Sequence, residues 1–264
     1  MALEGTYLEA IVASHRGRIA RDDRDRAKLR TEARRVAGAQ SFGAALVRAD
    51  GLALIAECKR RSPSRGDLAD IADPVSLGLA YQGGGAAAIS VLTDHDYFSG
   101  SLSDLREISA AVKIPCLRKD FTVDVIDLYD ARINGAAAIL LIVAALAEFE
   151  VAAYLEEAKE LGLDALVEVH SEAEIEVALR CGAEIIGINQ RDLFDFSIDE
   201  TLGEKLISAL GSDVTKVLES GITRLDQVAE ARRAGFDAIL VGEALVRSGT
   251  PQDGAAAFVV AGRL

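Results

Sequence analysis

Short aliphatic and β-branched runs recur along the chain, separated by longer stretches whose apolar residues return every three or four positions. The runs are 53–58 (ALIAEC), 87–92 (AAISVL), 114–119 (IPCLRK), 137–143 (AAILLIV), 165–169 (ALVEV), 184–188 (EIIGI), 215–219 (TKVLE) and 237–241 (DAILV). Each is too short for a stable helix, and most are apolar on both faces, the pattern of parallel strands covered by helices. The stretches 73–82, 102–112, 123–133, 146–161, 171–181, 199–210, 224–234 and 255–262 predict helices. Many end in Gly just before the next run, as in NGAAA, LGLDA, CGAEI and AGFDA, where a helix C-terminus favours it.

Eight βα units in succession predict an α/β fold, a (β/α)8 TIM barrel. A doubly wound open sheet is the alternative, but it rarely needs eight such even units. The GxGxxG phosphate loop is also absent after the first run. Gly83-Gly84-Gly85 precedes a strand and predicts an αβ turn rather than a nucleotide cradle. Residues 1–48 fall outside the repeat and are helical and highly charged. Asp22, Asp23, Asp25 and Glu32 interleave with the arginines there, which predicts a solvated helix laced with ion pairs, packed beside the barrel. The expected organisation is one domain over 1–264, an N-terminal helical extension (1–48) followed by the barrel (49–264). With the chain ending soon after the eighth unit, no second domain is expected.

Composition narrows the function classes. A formal net charge of −13 argues against nucleic acid or an anionic membrane as partner. An anionic substrate would then need a locally positive pocket. The N-terminus lacks a long apolar core and no run of about 18 apolar residues occurs, so neither a signal peptide nor a membrane span is expected. Cys58, Cys116 and Cys181 are odd in number and sit in or beside apolar runs, as buried free thiols of a reducing cytosol would. A cytoplasmic protein is expected, and the acidic surface with few aromatics points to a monomer.

A barrel's active site lies at the C-terminal ends of its strands. The first strand runs into Glu57 and Lys59, two apart and therefore on one face, both pointing into the mouth. The third runs into Arg118-Lys119-Asp120-Phe121, the fifth ends at Glu168, and the sixth leads into Asn189-Gln190-Arg191-Asp192. The seventh gives Glu219-Ser220-Gly221 and the eighth Gly242-Glu243. One stray charge would be an ordinary ion pair; polar groups on one rim from at least five strands form a site. The turns after strands seven and eight are where many barrels bind phosphate, Gly allowing close backbone approach. Tight turns alone would also explain those glycines. His15, His95 and His170 have no metal-ligand spacing, so no metal is expected. No GxSxG elbow supports a serine nucleophile.

With those segments in place, the chain resembles the indole-3-glycerol phosphate synthase family over nearly its whole length. The carriers are IAECKRRSPSRG (55–66), VLTDHDYFSGS (91–101), CLRKDF (116–121), LLIV (140–143), ALVEVHSEAE (165–174), IGINQRDL (186–193), VLESGI (217–222) and ILVGEAL (239–245). The order and spacing of the EXKXXSPS, INXRDL and ESGI segments make the match specific, and the N-terminal extension is also typical of that family.

The resemblance implies a carboxy-lyase of tryptophan biosynthesis. It would close the pyrrole ring of 1-(2-carboxyphenylamino)-1-deoxyribulose 5-phosphate, releasing carbon dioxide and water, with no cofactor. An aromatic carbon must attack a ketone, whose oxygen needs a proton donor as charge develops. By similarity Lys119 is the candidate acid, with Lys59 as partner or alternative. Dehydration needs a base and a second proton delivery, for which Glu168 is the candidate; Glu57 and Glu219 would hold the lysines and ribulose hydroxyls. Asn189 and Arg191 should contact substrate or order the site, and Arg61 and Ser62 should handle its anionic ends. Ser220, Gly221, Gly242 and the backbone of Glu243 fit the phosphate. Phe98, Phe121 and Leu140 should wall the aromatic ring, though core packing would equally explain them. Several relatives carry Ser where this chain has Glu243, so its carboxylate is expected to turn outward.

Two rivals remain at this level. Another phosphate-binding barrel, such as phosphoribosylanthranilate isomerase, would share the phosphate turns but should use a Cys/Asp pair, and EXKXXSPS does not fit it. A silent barrel binding a phosphorylated ligand is the other; Glu57, Lys59, Lys119 and Glu168 together argue against lost catalysis.

Overall fold

The apolar runs become strands whose side chains alternate between two cores. In the computed structural model, which describes residues 6–38, 40–47, 50–62, 66–68, 71, 73–192, 196–247 and 249–263, these are β1 (Ala53–Cys58), β2 (Ala88–Leu92), β3 (Cys116–Lys119), β4 (Ala138–Ile142), β5 (Asp164–Val169), β6 (Ile185–Asn189), β7 (Thr215–Glu219) and β8 (Ala238–Val241). Each pairs in parallel with its chain neighbour, and β1 closes the barrel on β8 through Ala53 opposite Ala238. The third run begins at Cys116 rather than 114. Pro115 has no N–H for the ladder, and its carbonyl accepts from Ile89 instead. The expected (β/α)8 barrel is the observed architecture.

Parity along the strands sets everything that follows. Ala53 and Ile55 of β1, Leu117 of β3, Leu166 of β5 and Val217 of β7 fill the barrel interior. Their neighbours Leu54, Ile139, Val167 and Ile186 face the helices. Continuing the inward parity one step toward the strand ends replaces the apolar side chains by Glu57, Lys119, Glu168 and Glu219. The lower barrel is therefore packed hydrocarbon and the mouth is charged.

The outer helices are α4 (Pro74–Gly83), α5 (Leu102–Ala111), α6 (Val125–Ile133), α7 (Glu148–Leu161), α8 (Glu172–Arg180), α9 (Leu202–Leu206), α10 (Leu225–Ala234), α11 (Glu243–Val246) and α12 (Pro251–Ala261), numbered after the N-terminal α1 (Tyr7–Ile19), α2 (Arg26–Arg35) and α3 (Phe42–Leu46). Most expected helices match to within a few residues. The stretch 199–210 instead breaks into α9 and a single 3₁₀ turn, and α12 starts earlier, with Pro251 in its first turn. A small antiparallel pair, Arg61–Ser62 with Gly66–Asp67, follows β1 and was not anticipated. Gly84 makes the expected αβ turn: a Cβ there would lie 2.5 Å from the Gln252 carbonyl oxygen, because α12 packs directly on it. Cys58 and Cys116 are buried free thiols as expected, whereas Cys181 is partly exposed. Among the described residues no helix is long and apolar enough to cross a membrane.

The extension does more than lie alongside. Leu8 and Val12 of α1 join the inner core, as do Phe42 and Leu46 of α3, which packs on β1 and β2. Between them α2 lies against α6. Arg24 just ahead of it and two of its own arginines reach across to that side of the barrel: Arg24 to Asp130 (2.8 Å), Arg30 to Glu157 (2.6 Å) and Arg34 to Glu160 (2.6 Å). The ion pairs expected within the stretch are thus mostly made to α6 and α7. Asp25 instead caps α2, accepting from the N–H groups of Ala27 and Lys28.

Arg118 anchors the outer side of β3. Fully enclosed, it bonds Thr93 Oγ1 (3.0 Å), Asp120 (2.9 Å) and the carbonyl of Asp127 (2.5 Å). Burial opposes its charge, but Asp120 and Asp127 hold its pKa above the usual value. Arg118→Met should lower the unfolding free energy by about 3–5 kcal/mol, since it strands two buried carboxylates. The check is the urea midpoint at constant slope; a loss below about 1 kcal/mol would show that Asp120 and Asp127 find other partners.

Candidate active site

The strand ends converge on a cleft of about 1260 Å³, open mouth included, with Leu8 and Ile11 of α1 forming part of its wall. Lys119 rises from β3 and reaches across the barrel. Its Nζ donates to Glu168 Oε2 of β5 (3.0 Å) and lies 3.6 Å from Glu219 Oε2 of β7, the strand diametrically opposite its own. Lys59 and Glu57 form a second pair, Nζ to Oε1 2.5 Å. Asn189 of β6 donates Nδ2 to Glu168 Oε1 (3.0 Å) and accepts the Arg191 N–H on Oδ1 (3.0 Å), turning the chain out of the barrel.

Space for these side chains comes from glycines. A Cβ on Gly187 would lie 2.0 Å from Glu219 Oε1, and one on Gly242 would lie 2.6 Å from Glu57 Oε1. Gly242 is thus required by Glu57, a role the sequence reading did not assign. Ser220 and Gly221 both take left-handed backbone, φ 63° and 77°. Such strain in a non-glycine residue concentrates at functional sites. Gln190 Nε2 fixes this turn by donating to the Ser220 carbonyl (3.0 Å).

Three carboxylates and two ammonium groups meet in this mouth, and their protonation follows from that imbalance. Burial works against charge on Lys119, but Glu168, Glu219 and Glu57 outweigh it and hold the ammonium protonated well above the usual range. Burial likewise opposes ionisation of Glu168, yet Lys119, His170 and the Asn189 amide keep it below the usual carboxylate value. Glu219 goes the other way. Burial, then Glu168 and Glu57, push it up to about 8 against the pull of Lys119, and its Oε1 has no hydrogen-bond partner. It is the carboxyl that carries the proton at neutral pH.

The remaining expected residues fall as follows. Phe98, Phe121 and Leu140 line the cleft, the two rings tilted with centroids 6.2 Å apart. Arg191, Ser220, Gly221, Gly242 and Glu243 also line it, and Arg191 donates to the Phe196 carbonyl (3.0 Å). The Glu243 carboxylate pairs with Arg247 (2.9 Å) one turn along the short α11. Arg61 is half-exposed and faces Asp67 at 3.8 Å, away from the cleft lining. Ser62 pairs with Gly66 through its backbone, and its side chain lies outside the described residues.

Residues the sequence reading missed also shape the site. His15 of α1 is buried. Its Nε2 donates to Asp94 Oδ2 (2.8 Å) while Nδ1 accepts from Arg18 (2.7 Å), and Asp94 in turn accepts the N–H groups of Tyr97 and Phe98. This latch ties α1 to the loop that carries Phe98. Its signal was present: His15 continues the apolar stripe of Leu8, Ile11 and Val12 at helical spacing. Among the described residues His15, Asp94 and Asp120 form the one trio whose donor atoms could meet a cation. These donors are already bonded, Asp120 to Arg118, Thr93 and the Phe121 N–H. The trio holds structure together.

With this geometry established, comparison with known proteins is specific. Residues 8–257 match the model of the family described as indole-3-glycerol phosphate synthase. The chain is 48% identical to indole-3-glycerol phosphate synthase 2 of Streptomyces coelicolor, over 94% of this chain and 95% of that one. It is 44% identical to the indole-3-glycerol phosphate synthase of Beutenbergia cavernae, over 97% and 96%. Among solved structures, 3-hexulose-6-phosphate synthase from Salmonella typhimurium superposes with a TM-score of 0.63 at 12% identity, covering 80% of this chain and 98% of that one. That likeness is one of fold.

Glu219 binds its proton more tightly in the folded chain than the usual 4.5 of a free glutamate. Its contribution to stability is therefore full below about pH 4.5 and is lost as pH rises through about 8. Glu219→Gln should gain stability relative to the parent progressively across that window, read from urea midpoints at each pH. A difference that stays constant with pH would place the proton elsewhere.

Proposed function

Because the chain belongs to the indole-3-glycerol phosphate synthase family, we propose that the charged ring at the barrel mouth performs that family's decarboxylating ring closure, with Lys119 as the first proton donor. The protein is a carboxy-lyase of tryptophan biosynthesis acting on a phosphorylated small molecule. The observation that carries the residue assignment is Lys119 Nζ, suspended over the barrel axis between Glu168 and Glu219.

The ring carbon bearing the carboxylate attacks the ribulose ketone carbon. As negative charge develops on the ketone oxygen, Lys119 supplies the proton, entering turnover charged because Glu168 first, and Glu57 with it, outweigh the cost of burial. Loss of carbon dioxide returns an electron pair to the ring and restores its aromaticity. The new hydroxyl then leaves as water, protonated by Lys59, while Glu168 removes a proton from the adjacent carbon. Glu168 is poised as base because it is ionised and held by Lys119 and Asn189. Glu57 positions Lys59, and Glu219, carrying a proton, donates a hydrogen bond to a ribulose hydroxyl.

Orientation follows from the order of strands around the barrel. Phe98, Phe121 and Leu140 belong to β2–β4 and their loops and receive the aromatic ring. The turns after β7 and β8 stand on the other side and take the phosphate through Ser220, Gly221, Gly242 and the backbone of Glu243. The reacting carbons then span the mouth over Lys119 and Lys59, with Arg191 and Asn189 at the rim. Arg61 and Ser62, on the pair after β1, would act on the substrate's anionic carboxylate end from outside the cleft. No cofactor, nucleic acid or membrane enters this scheme, and the protein would work as a cytoplasmic monomer.

The direct test mixes purified protein with 1-(2-carboxyphenylamino)-1-deoxyribulose 5-phosphate, without added metal or cofactor, and follows indole fluorescence with carbon dioxide release. Both signals are expected together. Lys119→Ala should lower kcat by ~10²-fold or more; near-full turnover would remove Lys119 from the mechanism. Arg247→Ala should raise KM by about fivefold, because the Glu243 carboxylate loses an ion pair of ~1 kcal/mol beside an anion. An unchanged KM would place the phosphate away from α11.

A further inference from the structure

We infer that His170 is a positioning residue for Glu168: with Glu174 behind it, it forms a carboxylate–imidazole–carboxylate chain that holds the base ionised and aimed into the mouth. The inference rests on the reading of Glu168 as the base. His170 follows the last residue of β5 and shares the inward parity of Glu168. Its Nε2 lies 3.6 Å from Glu168 Oε1, and its Nδ1 lies 3.3 Å from Glu174 Oε2. The same Glu174 oxygen accepts the His170 backbone N–H at 2.8 Å. One carboxylate thus fixes both the main chain and the ring at this position.

Lys119 holds Oε2 and Asn189 holds Oε1, while His170 Nε2 stands 3.6 Å from that same Oε1. His170 Nε2 is buried and has no hydrogen-bond partner at rest. A movement of a few tenths of an ångström toward Glu168 would satisfy it, so the ring is set to follow the carboxylate when substrate displaces Lys119. The acids that bear on the imidazole are Glu168 on its own strand, Glu174 from α8 and Glu219 from β7, and the cation on that side is Lys119, bonded to the far oxygen of Glu168. Burial opposes its charge, but Glu174 first, then Glu168 and Glu219, raise its affinity for a proton above the ordinary value. A cationic ring in that place favours the ionised form of Glu168.

The test reads pH dependence and a spectroscopic midpoint in the full-length enzyme. Removing a positive neighbour raises a carboxyl pKa, so the acidic limb of the kcat–pH profile in His170→Gln should move to higher pH by roughly one unit. Glu174→Gln keeps an oxygen for the His170 N–H and disturbs the fold least; it should move the limb the same way by less. By ¹⁵N NMR, the His170 imidazole should titrate above the ordinary histidine value in the parent and lower in Glu168→Gln. An unmoved limb in folded His170→Gln, or an unmoved midpoint in Glu168→Gln, overturns the inference. Full activity of Glu168→Gln with a lowered midpoint upholds the pairing and instead overturns the reading of Glu168 as base.

Discussion

Lys119 crossing the barrel to touch carboxylates on β5 and β7 is the interaction on which the rest of the mouth depends. An ammonium group buried alone would lose its proton, and carboxylates buried alone would gain theirs. At 3.0 Å Lys119 and Glu168 sustain one another's charge, while Glu219 at 3.6 Å keeps its proton, so the mouth holds an ammonium and a carboxylate side by side. The arrangement is demanding of space. Gly187 and Gly242 supply it by omitting side chains where Glu219 and Glu57 must pass. An alanine at either position would push a carboxylate out of the ring before any chemistry began.

That ring can be charged because the barrel beneath it is not. The inward residues Ile55, Leu117, Leu166 and Val217 form a dry floor, and Phe42 and Leu46 of α3 add to the same core. The extension then serves both the packed interior and the cleft. α3 packs on β1 and β2, α2 is pinned to α6 and α7 by arginine pairs, and α1 places Leu8 and Ile11 in the cleft wall. The latch from His15 to Asp94 couples α1 to the loop that presents Phe98, so the apolar side of the cleft is fixed by a segment remote from it in sequence. An enzyme that must keep water from a developing oxyanion gains from such a wall, since the same hydrogen bond is worth more in a drier site.

Much of this was legible in the chain because strand parity is a local rule. Glu57 and Lys59 are two apart, so their shared direction follows from the pleat, and Lys119, Glu168 and Glu219 each continue an apolar inward row. The barrel followed from eight βα repeats for the same reason. What could not be read locally was partnership at long range. His15 meets Asp94 across 79 residues, and Arg24 and Arg30 meet α6 and α7 across more than a hundred. The interleaved acids in residues 1–48 suggest self-sufficient pairing, yet Arg16, Arg24, Arg26, Arg30 and Arg34 all pair with acids at or near α6 and α7. Spacing speaks of His170 only as a metal ligand; its place two residues beyond Glu168 is the better clue, since equal parity puts both on one face. Gly242 was read for phosphate when its missing Cβ is also what admits Glu57.

The chain's net charge of −13 sharpens the question of how an anionic substrate is drawn in. The surface repels it at long range, though salt screens that repulsion beyond about 10 Å. Inside the mouth the balance reverses in stages. Glu57 neutralises Lys59, Glu168 neutralises Lys119, Arg247 neutralises Glu243, and Glu219 carries a proton rather than a charge. The interior is thus close to electrically neutral despite its density of ionisable groups, and the β7 and β8 turns present backbone dipoles rather than uncompensated carboxylates. Any group that displaces a glutamate from its lysine frees a cation where the substrate's own negative charge will develop. In the proposed mechanism the binding step and the proton-donating step draw on the same two ion pairs, which accounts for lysines held by carboxylates rather than exposed to solvent.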